Sequence, residues 1–387
     1  MASKIALKLC AVLVGIFVGG VLSLVLLETA LRIYNPIIQT VKGYKVVLRT
    51  NYDEVWRWHI RGVAPEVRFH QNSLGFRGAE PPADLADRLS IITIGGSTTH
   101  QASQSDNLTW TALLGDSVAE CFDRTWINNA GFEGHSSFGH AELIRGYINR
   151  SHPRLAVLLI GANEIYWTGA GITEPNSYDV VQLRNDLNFD WGIKGFLKGL
   201  SNRSEVVDLG LTLYRCFVAL KYAAHSGIDW TNLAEGDTMP TDAQATLIAM
   251  KDKQPAYAAR LRAIIRLLRD GETTPVLITQ PTVTGIGYDP TTGKDLARLD
   301  HGLYWYQAFE MFNNTMRHAA ETENVYLSDL ARMMPKDTKY YWDRVHYTDA
   351  GSKKVAQLVA RGLLPYLTQK FPSYSRGTCE ITPANPD

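Results

Sequence analysis

The sequence predicts an α/β protein: a three-layer α/β/α sandwich around a central parallel sheet, preceded by one apolar N-terminal helix. Three observations carry this. From Ile91 onward, short apolar or β-branched runs alternate with stretches of helical periodicity, the pattern of βαβ units. Three of those runs end in small or polar punctuation: Gly95-Gly96-Ser97, the loop ending at Gly134, and Gly161-Ala162-Asn163. Finally, Leu9 to Leu27 carries no charge, close to the roughly 20 residues a helix needs to cross a hydrocarbon core.

Composition narrows the function classes. The chain has 387 residues, 45% of them hydrophobic, enough for a well-buried core. Lys+Arg and Asp+Glu both number 39, for a net charge of zero, so no basic excess points to nucleic acid. Cys10, Cys121, Cys216 and Cys379 are scattered, without a CxxC pair. They indicate neither a zinc site nor a disulfide framework, and a bridge among the last three cannot be assigned.

In chain order, Lys4 and Lys8 precede the apolar run, which favours a cytoplasmic N-terminus and a chain that continues outside the cytoplasm. Residues 1–35 read as an uncleaved anchor, with a cleaved signal peptide as the alternative. Residues 36–88 read as a juxtamembrane connector of short strands or loops. Within it, Asn72 to Gly78 is a turn-forming cluster, and Arg77 reads as a solvated or salt-bridged surface residue, with contact to an anionic substrate group as the alternative. Ile91–Ile94 is the first central strand. Gly95 and Gly96 allow a sharp turn, and Ser97, Thr98 and Thr99 can cap a following helix. A helical pattern runs through Trp110, Leu113, Leu114 and Val118, followed by strand Thr125–Ala130, a helix over Phe138–Arg150 and strand Leu155–Ile160. Tyr257–Leu268 is amphipathic, with Gly271 just beyond its end. Strand Pro275–Thr279, helix Tyr304–Thr322, strand Asn324–Leu327 and a helix over Ala350–Tyr366 complete the alternation. The catalytic domain is thus expected over 89–370, interrupted by an insert over 167–255 and followed by a tail over 371–387. The insert contains an apolar helical stretch, Val206–Ala224, and insertions of this kind are often lids or binding surfaces.

A serine at the carboxyl end of a central strand sits where open α/β sheets place their ligands. Ester hydrolysis by a serine needs a base, a carboxylate to orient that base, and donors for the oxyanion. Asp343 and His346 are three apart, so one turn can present both to Ser97. The Asn163 amide and the backbone N–H groups of Ser97 and Gly134 can form the oxyanion hole. Each residue also has an ordinary alternative. Ser97 can be an N-cap, Asn163 another helix cap, Gly134 a turn, and Asp343 with His346 a loop pair. His100 and His135 read as weak candidates for substrate contact, and otherwise as pocket lining or structure. No cluster has metal-ligand spacing, so the expected reaction is metal-independent and needs no cofactor.

Together these residues resemble the SGNH hydrolases, the GDSL-type esterase and lipase superfamily. The four blocks of that family match Gly95-Gly96-Ser97-Thr98, Asn129 through Gly134, Gly161-Ala162-Asn163-Glu164, and Asp343-Arg344-Val345-His346, across Ile91 to Leu367. The resemblance implies a flavodoxin-like sandwich, Ser97 as nucleophile, Gly134 and Asn163 as oxyanion donors, and Asp343 with His346 as the base pair. Gly96 replaces the family's usual aspartate, and Glu164 stands where aspartate is commoner. The Asn72–Gly78 segment is similar to that of membrane-anchored bacterial members. The implied activity is a membrane-anchored serine esterase that removes O-acyl groups, O-acetyl above all, from a carbohydrate or envelope polymer. Its catalytic domain would face the periplasm or exterior. Acetyl transfer by the same triad, and a catalytically silent envelope-assembly subunit, are the alternatives.

Overall fold

The computed structural model describes residues 2–35, 41–42, 45–169, 193–222 and 227–377. Much of the expected insert (170–192 and 223–226) and the tail from 378, with Cys379, lie outside the described residues. The chain divides into two compact units, one of residues 1–47 and 187–225, the other of 48–186 and 226–387.

In the first unit, Ala2–Ile33 is one helix. Its stretch Cys10–Ile33 is long and apolar enough to cross a membrane, with a mean hydropathy of 2.8 over its most apolar 18 residues. Glu28 accepts hydrogen bonds from the backbone N–H groups of Glu205 and Val206, both at 3.1 Å, and from the Ser204 hydroxyl at 2.8 Å. These contacts satisfy donors that helix Glu205–Tyr222 leaves open at its N-terminus.

The second unit carries the sheet. Its strands are β1 (Tyr52–Arg57), β2 (Glu66–Gln71), β3 (Arg77–Gly78), β4 (Leu89–Gly95), β5 (Thr125–Asn129), β6 (Leu155–Leu159), β7 (Thr274–Ile278) and β8 (Tyr326–Ser328). The connector residues of β1 and β2 form a separate antiparallel pair, whereas the main sheet runs β8-β7-β6-β4-β5-β3. β4 to β8 are parallel. Taken in chain order, the spatial order of these five is 2-1-3-4-5, the doubly wound flavodoxin-like order, whose switch point lies between its first and third strands, here β4 and β6. β3 adds an antiparallel edge to β5. The sequence predicts a purely parallel sheet because two residues are too short to show a period.

Alternation along the strands feeds both faces. Leu89, Ile91, Leu155, Val157, Leu159, Val276 and Ile278 share one core with Trp110, Leu114 and Val118 of α2 (Trp110–Cys121) and with Val355, Val359, Leu363 and Leu367 of α7 (Asp349–Lys370). Ile92, Ile94, Ala156, Leu158 and Leu277, also buried, point to the opposite layer, where α3 (Ser137–Leu143), α5 (Ala243–Asp270) and α6 (Gly302–Thr322) pack. Each aliphatic side chain fully buried this way contributes roughly 1.5–3 kcal/mol. α5 begins well before the expected Tyr257 and carries Pro255 in its interior, a residue that reads in sequence as a boundary. After α3 the chain widens into a π turn over Ile144–Ile148 rather than continuing as one α-helix.

Arg77 is buried, not on the surface. Its Nε pairs with Asp106 Oδ1 at 2.8 Å, and its Nη1 and Nη2 donate to the carbonyls of Gln101 and Gln104, both at 2.8 Å. A buried guanidinium needs such partners to offset its desolvation, so Arg77 serves the fold. Cys121 is disulfide-bonded, and Cys10 is a free thiol.

Candidate active site

At the end of β4 a Cβ on Gly95 would fall 2.1 Å from Thr99 Oγ1 and 2.4 Å from the Leu159 carbonyl, so only glycine lets the chain turn back this tightly. The Gly96 carbonyl then accepts the N–H groups of Thr99 (3.0 Å) and His100 (2.9 Å), opening a one-turn helix α1 (Ser97–His100). Gln101, at φ +52°, closes it by donating to the Ser97 carbonyl at 2.8 Å. The Thr98 hydroxyl donates to Gln280 Oε1 at 3.0 Å, and the Trp110 indole to the Thr98 carbonyl at 3.1 Å. Sequence reading expects the hydroxyls of Ser97 to Thr99 at a helix cap. Instead Thr109 caps α2, accepting from Ala112 N at 3.2 Å, and Ser97 Oγ lies 2.7 Å from His346 Nε2.

His346 and Asp343 share one loop. The bridge between Tyr341 and Tyr347 and the Trp342 N–H donated to the His346 carbonyl (3.1 Å) close it. Asp343 Oδ1 accepts the backbone N–H groups of Val345 (2.9 Å) and His346 (2.7 Å), while Oδ2 meets His346 Nδ1 at 2.6 Å. One carboxylate therefore shapes the loop and orients the ring. Burial opposes the charge on Asp343, but the His346 imidazole and these N–H groups outweigh it and bring the carboxyl down to about 2. Burial also pushes His346 down. The charge and hydrogen bond of Asp343, helped by Glu133, outweigh that, and its pKa stands above the ordinary 6.5.

The structure also brings Asn163 to the serine turn. Asn163 lies in the first turn of α4 (Ala162–Gly169), beyond β6. Its Nδ2 donates to the His135 carbonyl at 2.7 Å, and a Cβ on Gly96 would fall 2.6 Å from that same nitrogen. A side chain at residue 96 would push the Asn163 amide from this position, so the atypical glycine leaves that amide room beside the serine turn. Glu164 is buried and accepts the Ser137 N–H at the start of α3. Ser137 Oγ accepts from Arg260 Nε at 2.6 Å. This network ties α4 to the loop that carries His135. In that loop Gly134 has φ +71°, with open space where a Cβ would stand.

The two weak histidine candidates do not bond to Ser97 or Asp343. His100 Nδ1 is 3.5 Å from Glu133 Oε1, and its ring packs against Phe69 with centroids 5.3 Å apart. His135 stacks on Phe132 at 4.1 Å, and burial together with His100 pushes its pKa down to about 3, so it is neutral at working pH. Sequence reading missed two neighbours of the base. Trp342 stacks on the His346 ring, with centroids 4.8 Å apart and planes 12° apart; its place beside Asp343 was the available signal. Glu133 lies beside Gly134 and acts on His346 through its charge.

A hydroxyl, an imidazole and a carboxylate in series, at the carboxyl ends of a doubly wound sheet, can pass a proton from oxygen to nitrogen as that oxygen attacks an acyl carbon. The fold and this arrangement define a hydrolase-like α/β protein. The chain belongs to the GDSL-like lipase/acylhydrolase family, whose family model matches residues 93–354. No curated protein matches it. Among solved structures it is similar to a GDSL-like lipase from Bacteroides thetaiotaomicron, at 9% identity, covering 76% of this chain and 93% of that one with a TM-score of 0.37. It is also similar to an acetylxylan esterase from Geobacillus stearothermophilus, at 13% identity, covering 71% and 92% with a TM-score of 0.38. At these identities and scores, membership rests on the family match.

Proposed function

We propose that this protein is a membrane-anchored serine esterase that removes O-acetyl groups from a carbohydrate or envelope polymer through an acyl-serine intermediate. The observation that supports it most is the relay of Ser97 Oγ, His346 and Asp343, with contacts of 2.7 and 2.6 Å. Ser97 Oγ attacks the ester carbonyl while His346 Nε2 takes its proton. The Asp343 carboxylate holds the tautomer with the proton on Nδ1 and stabilises the imidazolium. The tetrahedral oxyanion is met by the Asn163 amide, which has a second hydrogen beyond the one given to the His135 carbonyl. The Ser97 N–H, at the open start of α1, and the Gly134 N–H complete the hole. The imidazolium then protonates the leaving alcohol. Water, activated by the same base, releases acetate from Ser97.

The anchor reading draws on the apolar helix and on Lys4 and Lys8 ahead of it, which favour a cytoplasmic N-terminus. A disulfide at Cys121 fits an oxidising compartment outside the cytoplasm. The test is acetate release from acetylated sugars by the full chain in detergent, with and without a sugar acceptor. Free acetate supports esterase action. Acetylated acceptor in its place replaces hydrolysis by transfer, and no turnover of any acetyl ester overturns the reading.

The base must be neutral to accept the serine proton, and its pKa is raised. Activity is therefore expected to fall, as pH drops, through a midpoint above the 6.5 of ordinary histidine, read as the acid limb of kcat/KM. Gly96→Ala places a methyl against the Asn163 amide. It should lower kcat by up to about 10²–10³-fold, the cost of one oxyanion donor. Asn163→Ala should match it, and the double variant should lose little more, because both remove the same donor.

A further inference from the structure

We propose that Trp342 is a positioning residue for the base: its indole fixes the plane of the His346 ring and stabilises the imidazolium formed when that ring takes the Ser97 proton. The inference rests on the serine-esterase reading and assigns a role to a residue outside the triad and the oxyanion hole. The ring is held by two contacts, of Nδ1 with Asp343 and of Nε2 with Ser97. They leave it free to tilt about the line joining the two nitrogens. A flat partner on one face stops that tilt. The two rings are 12° from parallel with centroids 4.8 Å apart, within the roughly 6 Å at which an aromatic face attracts a cation.

The backbone that carries the indole is itself held. The Trp342 carbonyl accepts Ile228 N–H at 2.8 Å, and the Trp230 indole donates to the Tyr341 carbonyl at 3.1 Å. A Cβ on Gly227 would come within 3.1 Å of the Trp342 carbonyl and 3.5 Å of its Cε3. Gly227 to Trp230 lies within the expected insert, so this part of the insert backs the base loop. Trp342 is buried, and its indole N–H finds no hydrogen-bond partner among the described residues. A buried unpaired donor destabilises a fold, and phenylalanine would fill the stack without one. The indole does offer the strongest cation-binding face of the aromatic side chains. The charged groups acting on His346 are Asp343 from its own loop and Glu133 from the loop after β5, with His100 beyond Glu133.

The test compares wild type, Trp342→Phe and Trp342→Leu as full chains in detergent. It reads kcat, KM, the acid limb of kcat/KM and the ¹³C titration of labelled histidine, with the His346 signal assigned by its loss in His346→Asn. Trp342→Leu is expected to lower kcat about tenfold, on the order of 1.4 kcal/mol, with KM little changed. Its acid limb and the His346 titration should move to lower pH, because the imidazolium loses its aromatic face while burial remains. Trp342→Phe should fall between the two. The proposal is overturned if Trp342→Leu keeps the wild-type kcat and titration. It is equally overturned if Leu and Phe lose activity alike while the His346 titration stays put, since that is void filling. The titration reads His346 whether or not the enzyme turns over. A silent wild type thus sinks the esterase reading alone, and an unmoved titration in an active enzyme sinks the role of Trp342 alone.

Discussion

Ser97→Ala is expected to lower kcat for acetyl-ester hydrolysis by about 10⁴–10⁶-fold, the range over which loss of a serine nucleophile leaves only oxyanion and binding contributions. The substitution removes one atom. The turn around it is held by other groups: the Gln101 N–H on the Ser97 carbonyl, the Trp110 indole on the Thr98 carbonyl and the Thr98 hydroxyl on Gln280. The fold should therefore keep its melting temperature and its affinity for substrate, and the loss should appear in kcat with KM nearly unchanged. An equal fall in both activity and thermal stability would point to a structural serine. A catalytically silent wild type, with nothing for Ser97→Ala to lose, would return the chain to the assembly-subunit alternative.

Asp343→Asn should cost about 10⁴-fold in kcat, for a reason the geometry makes specific. Asparagine can keep its oxygen where Oδ1 accepts the N–H groups of Val345 and His346, so the loop survives. Its NH₂ group then faces His346 Nδ1, where a carboxylate oxygen stood at 2.6 Å. The ring must accept there and carry its proton on Nε2, the nitrogen that should receive the serine proton. Steady-state kinetics checks the rate. The histidine titration should also move down, because the charge that raises His346 is gone. Asp343→Ala would lose the loop contacts as well, so a larger drop in melting temperature separates it from the asparagine variant.

Much of the framework was legible because its signals are local. Ile91–Ile94 of β4, and β6 and β7, are continuous apolar or β-branched runs, as suits strands covered on both faces. What escaped the sequence depended on contacts. Arg77-Gly78 is too short to show a period, and its strand identity comes only from pairing with Asn128 and Asn129. Arg77 reads as a surface cation because the Gln101 and Gln104 carbonyls that receive it are not visible as partners in sequence. Pro255 reads as the end of the insert, although α5 runs through it. In the site, the spacing from Asp343 to His346 and the glycines before Ser97 were readable. The close approach of Gly96 to the Asn163 amide was not, because it joins residues on two different strand ends. Trp342 offers in sequence only its place beside Asp343, because stacking is a matter of facing.

The most direct test of the central claim is covalent labelling of the nucleophile. The full chain in detergent is treated with a fluorophosphonate, and the adduct is mapped by mass spectrometry. A single modified peptide is expected, carrying the adduct on Ser97, with a labelling rate that falls as pH drops through the His346 limb. An unlabelled wild type, under conditions that label a known serine hydrolase, would contradict it. So would an adduct on any residue other than Ser97.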